Sequence, residues 1–132
     1  MVDDLPAWLA RARSLGMETV VCTSGNQLAA RAAELAPHIH RLLVSMEAVG
    51  PRQDRLRGTP GLFQRVVDGI EEYRRHGGRE VTLWSNLTRK NRDQVRPLAE
   101  FAREHKVDVE FFPAALYPGY NENVVLRPEE RE

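Results

Sequence analysis

Several polar side chains stand where apolar runs end, and they are the first candidates for chemistry. Thr23-Ser24 follows Val20-Val21-Cys22, Ser45 and Glu47 follow Leu42-Leu43-Val44, and Ser85-Asn86 follows Val81 to Trp84. Phe112-Pro113 closes a fourth run. Hydroxyls and an amide can exchange hydrogen bonds with a polar ligand, and Glu47 can accept from hydroxyls or an ammonium. In the polar stretch that follows, Arg52, Arg55 and Arg57 offer guanidinium forks, which match a carboxylate bidentately. The alternative for all of them is plain: turn residues are polar and cap the next helix, and arginines on a loop are commonly solvated or paired with a nearby acid such as Glu47 or Asp54.

Other reactive types carry less. Cys22 has no cationic neighbour in sequence to lower its pKa and is expected as a small buried hydrophobe. His38-Ile39-His40 places two imidazoles on one side of an extended segment with no third ligand nearby, too few for a metal site. No nucleophile-elbow sequence accompanies the serines. Trp84 and Tyr73 are expected in the core, and Phe111-Phe112 either under a helix or on a pocket wall.

The elements that position these residues alternate. Asp4 can cap a helix with apolar Leu5, Trp8, Leu9, Ala12 and Leu15, stopped at Gly16. Glu18 to Thr23 is a first strand, apolar enough to suggest cover on both faces. Gln27 to Ala36 is a helix ended by Pro37, and Arg41 to Met46 a second strand. Glu47 to Gly58 shows no period. Thr59-Pro60 then reads as an N-cap and first-turn proline before the stripe Leu62, Phe63, Val66, Val67, Ile70 and Tyr73, closed by Gly77-Gly78. Glu80 to Ser85 is a third strand. Asn91 with Gln94 reads as a capping pair for a helix carrying Val95, Leu98, Ala99 and Ala102, and Val107 to Phe112 is a fourth strand. Strands alternating with helices imply parallel pairing through right-handed crossovers, so the fold class is α/β. In such sheets ligands sit at the carboxyl ends of the strands, where the polar residues fall.

The 132 residues suit one domain. With 19 basic and 19 acidic residues the chain offers no global field for phosphate backbones or anionic lipid, so neither nucleic acid nor membrane is an expected partner. No apolar run approaches the ~20 residues of a membrane span, and Met1-Val-Asp-Asp lacks the form of a secretory signal. The expected location is cytoplasmic.

The strand ends resemble a known family. Thr23-Ser24-Gly25-Asn26 after an apolar strand is similar to the end of the third strand in radical S-adenosylmethionine enzymes. Leu43-Val44-Ser45-Met46-Glu47 resembles their fourth strand, and Arg55 to Phe63 the arginine–glycine segment leading to the next helix. Asn86 to Asn91 and the helix after it match the fifth βα unit in order and spacing. The resemblance implies a partial TIM-type (β/α) barrel over residues 1–113, about four parallel strands in sequential order with helices on the outer face; the prolines, glycine and charged end that follow read as an extended tail over residues 114–132. The resemblance also implies S-adenosylmethionine as ligand: Ser45 would bind the methionyl carboxylate or ribose with help from Thr23, Glu47 the ribose hydroxyls or amine, and Arg57 the carboxylate.

One departure is severe. The family holds a [4Fe–4S] cluster on a three-cysteine motif and the methionyl amine on a Gly-Gly-Glu-type turn, and this chain has one cysteine and no such turn. The expected protein is therefore a fragment or degenerate form, unable to bind the cluster or act alone; the alternative is a non-catalytic α/β module that binds a small molecule or a protein. A partial barrel should leave Val20, Cys22 or Leu43 short of cover on its concave face. It should also leave the first strand's edge unpaired, an invitation to a second copy or another chain.

Overall fold

The computed structural model describes residues 4–119 and 121–130. Strands β1 (Val20–Thr23), β2 (Arg41–Ser45), β3 (Glu80–Leu87) and β4 (Asp108–Pro113) lie side by side in chain order, all parallel. Helix α1 (Leu5–Ser14) precedes β1, and α2 (Leu28–Leu35) leads through a 3-10 turn, Ala36–His38, into β2. Helices α3 (Pro51–Arg57) and α4 (Leu62–Arg75) join β2 to β3, and α5 (Val95–His105), entered through the 3-10 turn Arg92–Gln94, joins β3 to β4.

The register explains the layering. Leu42 and Val44 stand beside Val81 and Leu83, and all four are buried in one apolar cluster with Leu9 of α1, Leu28 and Leu35 of α2, Val66 and Ile70 of α4, and Leu98 of α5. Side chains alternate between faces along a strand, so the other face carries Val20, Cys22, Arg41, Leu43, Ser45, Thr82, Trp84, Glu110 and Phe112. A four-strand parallel sheet in sequential order, with its helices on one face, is the arrangement of a partial (β/α) barrel.

Some expectations change. Two-sided cover of β1 is not found: Val20 and Cys22 are exposed, as the concave-face argument requires, and the thiol is no buried hydrophobe. Trp84 is not under the helices but on the open face, stacked on Phe112 with ring centroids 4.1 Å apart and planes 18° from parallel. Arg41 crosses the same face to pair with Glu110 and donates to Thr82 Oγ1 at 3.2 Å. In α1 the stripe is incomplete, with Leu9 buried and Trp8 and Leu15 exposed. The imidazole of His40 accepts the Thr19 N–H at Nδ1 (2.9 Å), a structural use.

The stretch without period holds α3, bracketed by Gly50-Pro51 and by Gly58 at φ +62°. Helix α4 starts later than Thr59-Pro60 suggested, because its cap comes from outside: the Asp54 carboxylate accepts the N–H groups of Gly61 (2.6 Å) and Phe63 (2.8 Å). Its contact with α2 is close, since a Cβ on Gly69 would lie 2.8 Å from Leu28 Cβ. Beyond Pro113 the described residues form no strand or α-helix, but the segment is held down. Val125 and Leu126 are buried, Arg89 N–H donates to the Val124 carbonyl (2.8 Å), and the Glu130 carboxylate takes Arg89 and Arg92.

Candidate functional site

The carboxyl rim of the sheet is shaped by two buried amides. Gln53 of α3 accepts the N–H groups of Glu47 (2.9 Å) and Ala48 (3.2 Å) at Oε1 and donates to the Ser45 carbonyl (3.1 Å) through Nε2. It thereby fixes the chain as it leaves β2. Asn91 does the same from the β3–α5 loop: Oδ1 accepts from Thr88 N–H and hydroxyl, while Nδ2 donates to the carbonyls of Glu47 (3.1 Å) and Asn86 (3.0 Å). Asn91 and Gln94 are therefore not a capping pair; Gln94 Oε1 instead accepts from Val49 N–H at 3.3 Å. Sequence reasoning missed Gln53 entirely, since a lone glutamine among charges carries no signal until α3 is known.

Held by these amides, Glu47 meets Arg57. Arg57 Nη1 donates to Glu47 Oε1 at 3.1 Å, with the carboxylate side chain 13% exposed and the guanidinium 33%. Glu47 Oε2 is buried without a partner. Burial pushes the Glu47 carboxyl above its usual range, against the opposing pull of the Arg57 charge and the hydrogen bonds around its main chain. Of the two acids considered for Arg57, Glu47 is the partner, because Asp54 is occupied in capping α4.

Glu47 and Arg57 form part of a pocket of about 260 Å³, completed by Asn86, Lys90, Asn91 and Val124. Arg57 also borders a second space of about 450 Å³, with Ser24, Asn26 and Thr59. Ser45 sits on the open face at the end of β2, its Oγ 3.9 Å from Cys22 Sγ. Thr23 is elsewhere: its hydroxyl accepts the Gly25 N–H (3.1 Å), and it borders a groove along the β1 edge. Gly25 has no substitute in that turn, with φ +80° and Val66 Cγ2 2.7 Å from where a Cβ would sit. The structure thus unites Glu47 and Arg57, keeps Ser45 near them in sequence but on the open face, and sends Thr23 to another pocket.

The chemistry open to this rim is recognition of a small zwitterion: a desolvated carboxylate oxygen for a cation, and Arg57 with Lys90 for an anion. A [4Fe–4S] cluster does not fit. Among the described residues no group of three or more His, Cys, Asp or Glu is placed to hold a metal ion, and Cys22 is the single cysteine of the sequence. No helix among the described residues is long and apolar enough to cross a membrane.

No family model matches the chain. Three curated proteins do. The chain is 26% identical over 119 residues to pre-heme d1 synthase of Dinoroseobacter shibae, an alignment over 89% of this chain and 29% of that protein. It is 31% identical over 91 residues to GTP 3',8-cyclase of Marinobacter nauticus, covering 67% and 28% of the two chains. It is 24% identical over 127 residues to Fe-coproporphyrin III synthase of Methanosarcina barkeri, covering 95% and 32%. All three are radical S-adenosylmethionine enzymes, so the partial resemblance carried by the strand ends is found across the chain, at low identity. The chain spans about three-tenths of the length of these relatives.

Proposed function

We propose that this chain corresponds to part of the core barrel of a radical S-adenosylmethionine enzyme, as a fragment or a degenerate form, and that its rim pocket receives the methionyl end of S-adenosylmethionine. The observation that carries this reading is the unpartnered, buried Glu47 Oε2 beside Arg57 at the carboxyl rim of a parallel sheet, where ligands of such sheets bind. Glu47 would take the amine, and Arg57 with Lys90 the carboxylate. Ser45 on the adjoining open face would meet the ribose. The pocket is smaller than the ~300–1,000 Å³ usual for whole ligands, so the rest of the molecule would lie on the open face. Bound S-adenosylmethionine supplies a sulfonium whose reductive cleavage needs an electron source, and this chain's residues offer none. Its part is therefore to bind and orient, and any activity requires a cluster held by other residues. A cytoplasmic setting accords with an exposed, unpaired thiol.

Isothermal titration calorimetry with S-adenosylmethionine tests the assignment. The wild type should bind weakly, and Glu47→Gln, Arg57→Ala and Ser45→Ala should each lower the affinity. Equal binding by all four proteins would remove the assignment. No binding by the wild type would favour the non-catalytic module.

A further inference from the structure

Access to the rim pocket requires a movement. Glu47 Oε2 is buried and has no partner, so a ligand reaches that atom only if something beside it shifts. Two borders of the pocket are pinned. Helix α3, which carries Arg57, is tied to the exit of β2 through Gln53 and to the start of α4 through Asp54. The β3–α5 loop, which carries Lys90, is tied through Asn91 to the carbonyls of Glu47 and Asn86. A third border is Val124, from the segment after β4.

That segment is attached differently. It turns on itself, the Asn121 carbonyl accepting the N–H groups of Val124 (3.0 Å) and Val125 (3.2 Å). Val125 and Leu126 are buried, yet they stand apart from the apolar cluster that joins sheet and helices. The Val124 carbonyl accepts Arg89 N–H at 2.8 Å. The Glu130 carboxylate fastens the far end, accepting from Arg127 N–H (2.8 Å), Arg89 Nε (2.9 Å) and Arg92 Nη1 (3.2 Å). Releasing these contacts leaves the main cluster intact, and segments placed in this way open at lower free energy than a core.

We propose that residues 121–130 are a strap whose release opens the rim pocket, with Glu130 its latch and Val124 the side chain it lays against the occupant. Val124 and Leu56 are the apolar part of a lining that is otherwise polar or charged. Charged groups on Glu47 and Arg57, with methylenes beside Val124, describe the amino acid end of a ligand. The identity of that ligand rests on the function proposed above, whereas the strap rests on its own contacts.

The Arg89 N–H reports docking directly, because its acceptor belongs to the strap. Hydrogen exchange followed by NMR should find this amide protected in the wild type. Glu130→Gln should speed its exchange about tenfold while the amides of β2 and β3 keep their rates. Saturating S-adenosylmethionine should slow it, since a ligand enclosed by the closed strap favours that state. Val124→Ala should weaken binding about fivefold by calorimetry, the loss of its methyl contacts. An Arg89 amide that is unprotected, or that Glu130→Gln leaves unchanged, overturns the proposal. So does exchange at Arg89 that rises only together with β2 and β3, because the segment would then be part of the core. Calorimetric binding of S-adenosylmethionine with Arg89 exchange unaltered also overturns it, because the ligand would enter without the strap. Expected exchange in both proteins with no calorimetric binding would retain the strap and remove the ligand.

Discussion

Glu47 keeps one carboxylate oxygen out of water with no partner, and its raised pKa has a definite consequence for stability. Between the ordinary carboxyl range and the higher folded value the native state binds more protons than the unfolded chain, so this group's contribution falls as pH rises through that window. Above the window its ionised form opposes folding by a constant amount. Glu47→Gln removes the titration. The variant should be more stable than the wild type at pH 7, by on the order of 1 kcal/mol, and the gap should close toward pH 4. Urea unfolding at pH 4, 5.5 and 7 measures it; a variant less stable than the wild type at pH 7 would mean that the Arg57 pairing outweighs burial. Glu47 and Arg57 were legible as candidates because one ends a strand and the other lies in the loop after it. Their pairing was one of several options, and the distinction between Glu47 and Asp54 rested on a cap that no local pattern announces.

Among the elements, the strands and the long helix α4 were readable because their apolar periods match their faces. Helix α3 was not, because seven residues with four charges show no stripe and its boundaries are marked only by Gly50-Pro51 and Gly58. Its value lies in two inward contacts, Gln53 and Asp54. Gln53→Ala should leave two N–H groups and a carbonyl of the Ser45–Ala48 turn unpaired and cost about 3 kcal/mol, while loosening the loop that carries Glu47. Thermal unfolding should show the loss, and calorimetry a fall in affinity beyond that of Ser45→Ala. A neutral Gln53→Ala would mean that water serves those groups as well. Asp54→Ala removes the cap of α4, and its effect has the opposite pH sign from Glu47. The carboxyl is held below its usual range by the main-chain N–H of Phe63 above all, so the stabilisation is present at neutral pH and is lost as pH falls through the depressed folded value. Comparing thermal midpoints of Asp54→Ala and wild type at pH 7 and at pH 2 should show a gap that narrows in acid. Gly69→Ala probes the middle of α4, where a Cβ would press on Leu28; overpacking of this kind costs about 1–3 kcal/mol, readable as a lower urea midpoint.

At the scale of the molecule, sequential strand order and a one-sided helix layer followed from the βα rhythm, because right-handed crossovers leave few alternatives. The bareness of the opposite face explains features that look unrelated in sequence: an exposed thiol, a Trp84–Phe112 stack, and an Arg41–Glu110 pair in place of apolar packing. The same face limits iron chemistry. Clusters of this type are held by about four thiolates, or three where an iron is left open, and each chain has Cys22 alone. The paired Arg41 and Glu110 sit on that face in place of further soft donors. Anaerobic incubation with ferrous iron and sulfide, then gel filtration and iron analysis, should therefore leave well under one iron per chain, with no charge-transfer absorption in the visible. Retention of about four irons per chain would show that oxygen or nitrogen ligands complete a cluster here, and the view of this chain as a binding part that depends on cysteines held elsewhere would fall with it.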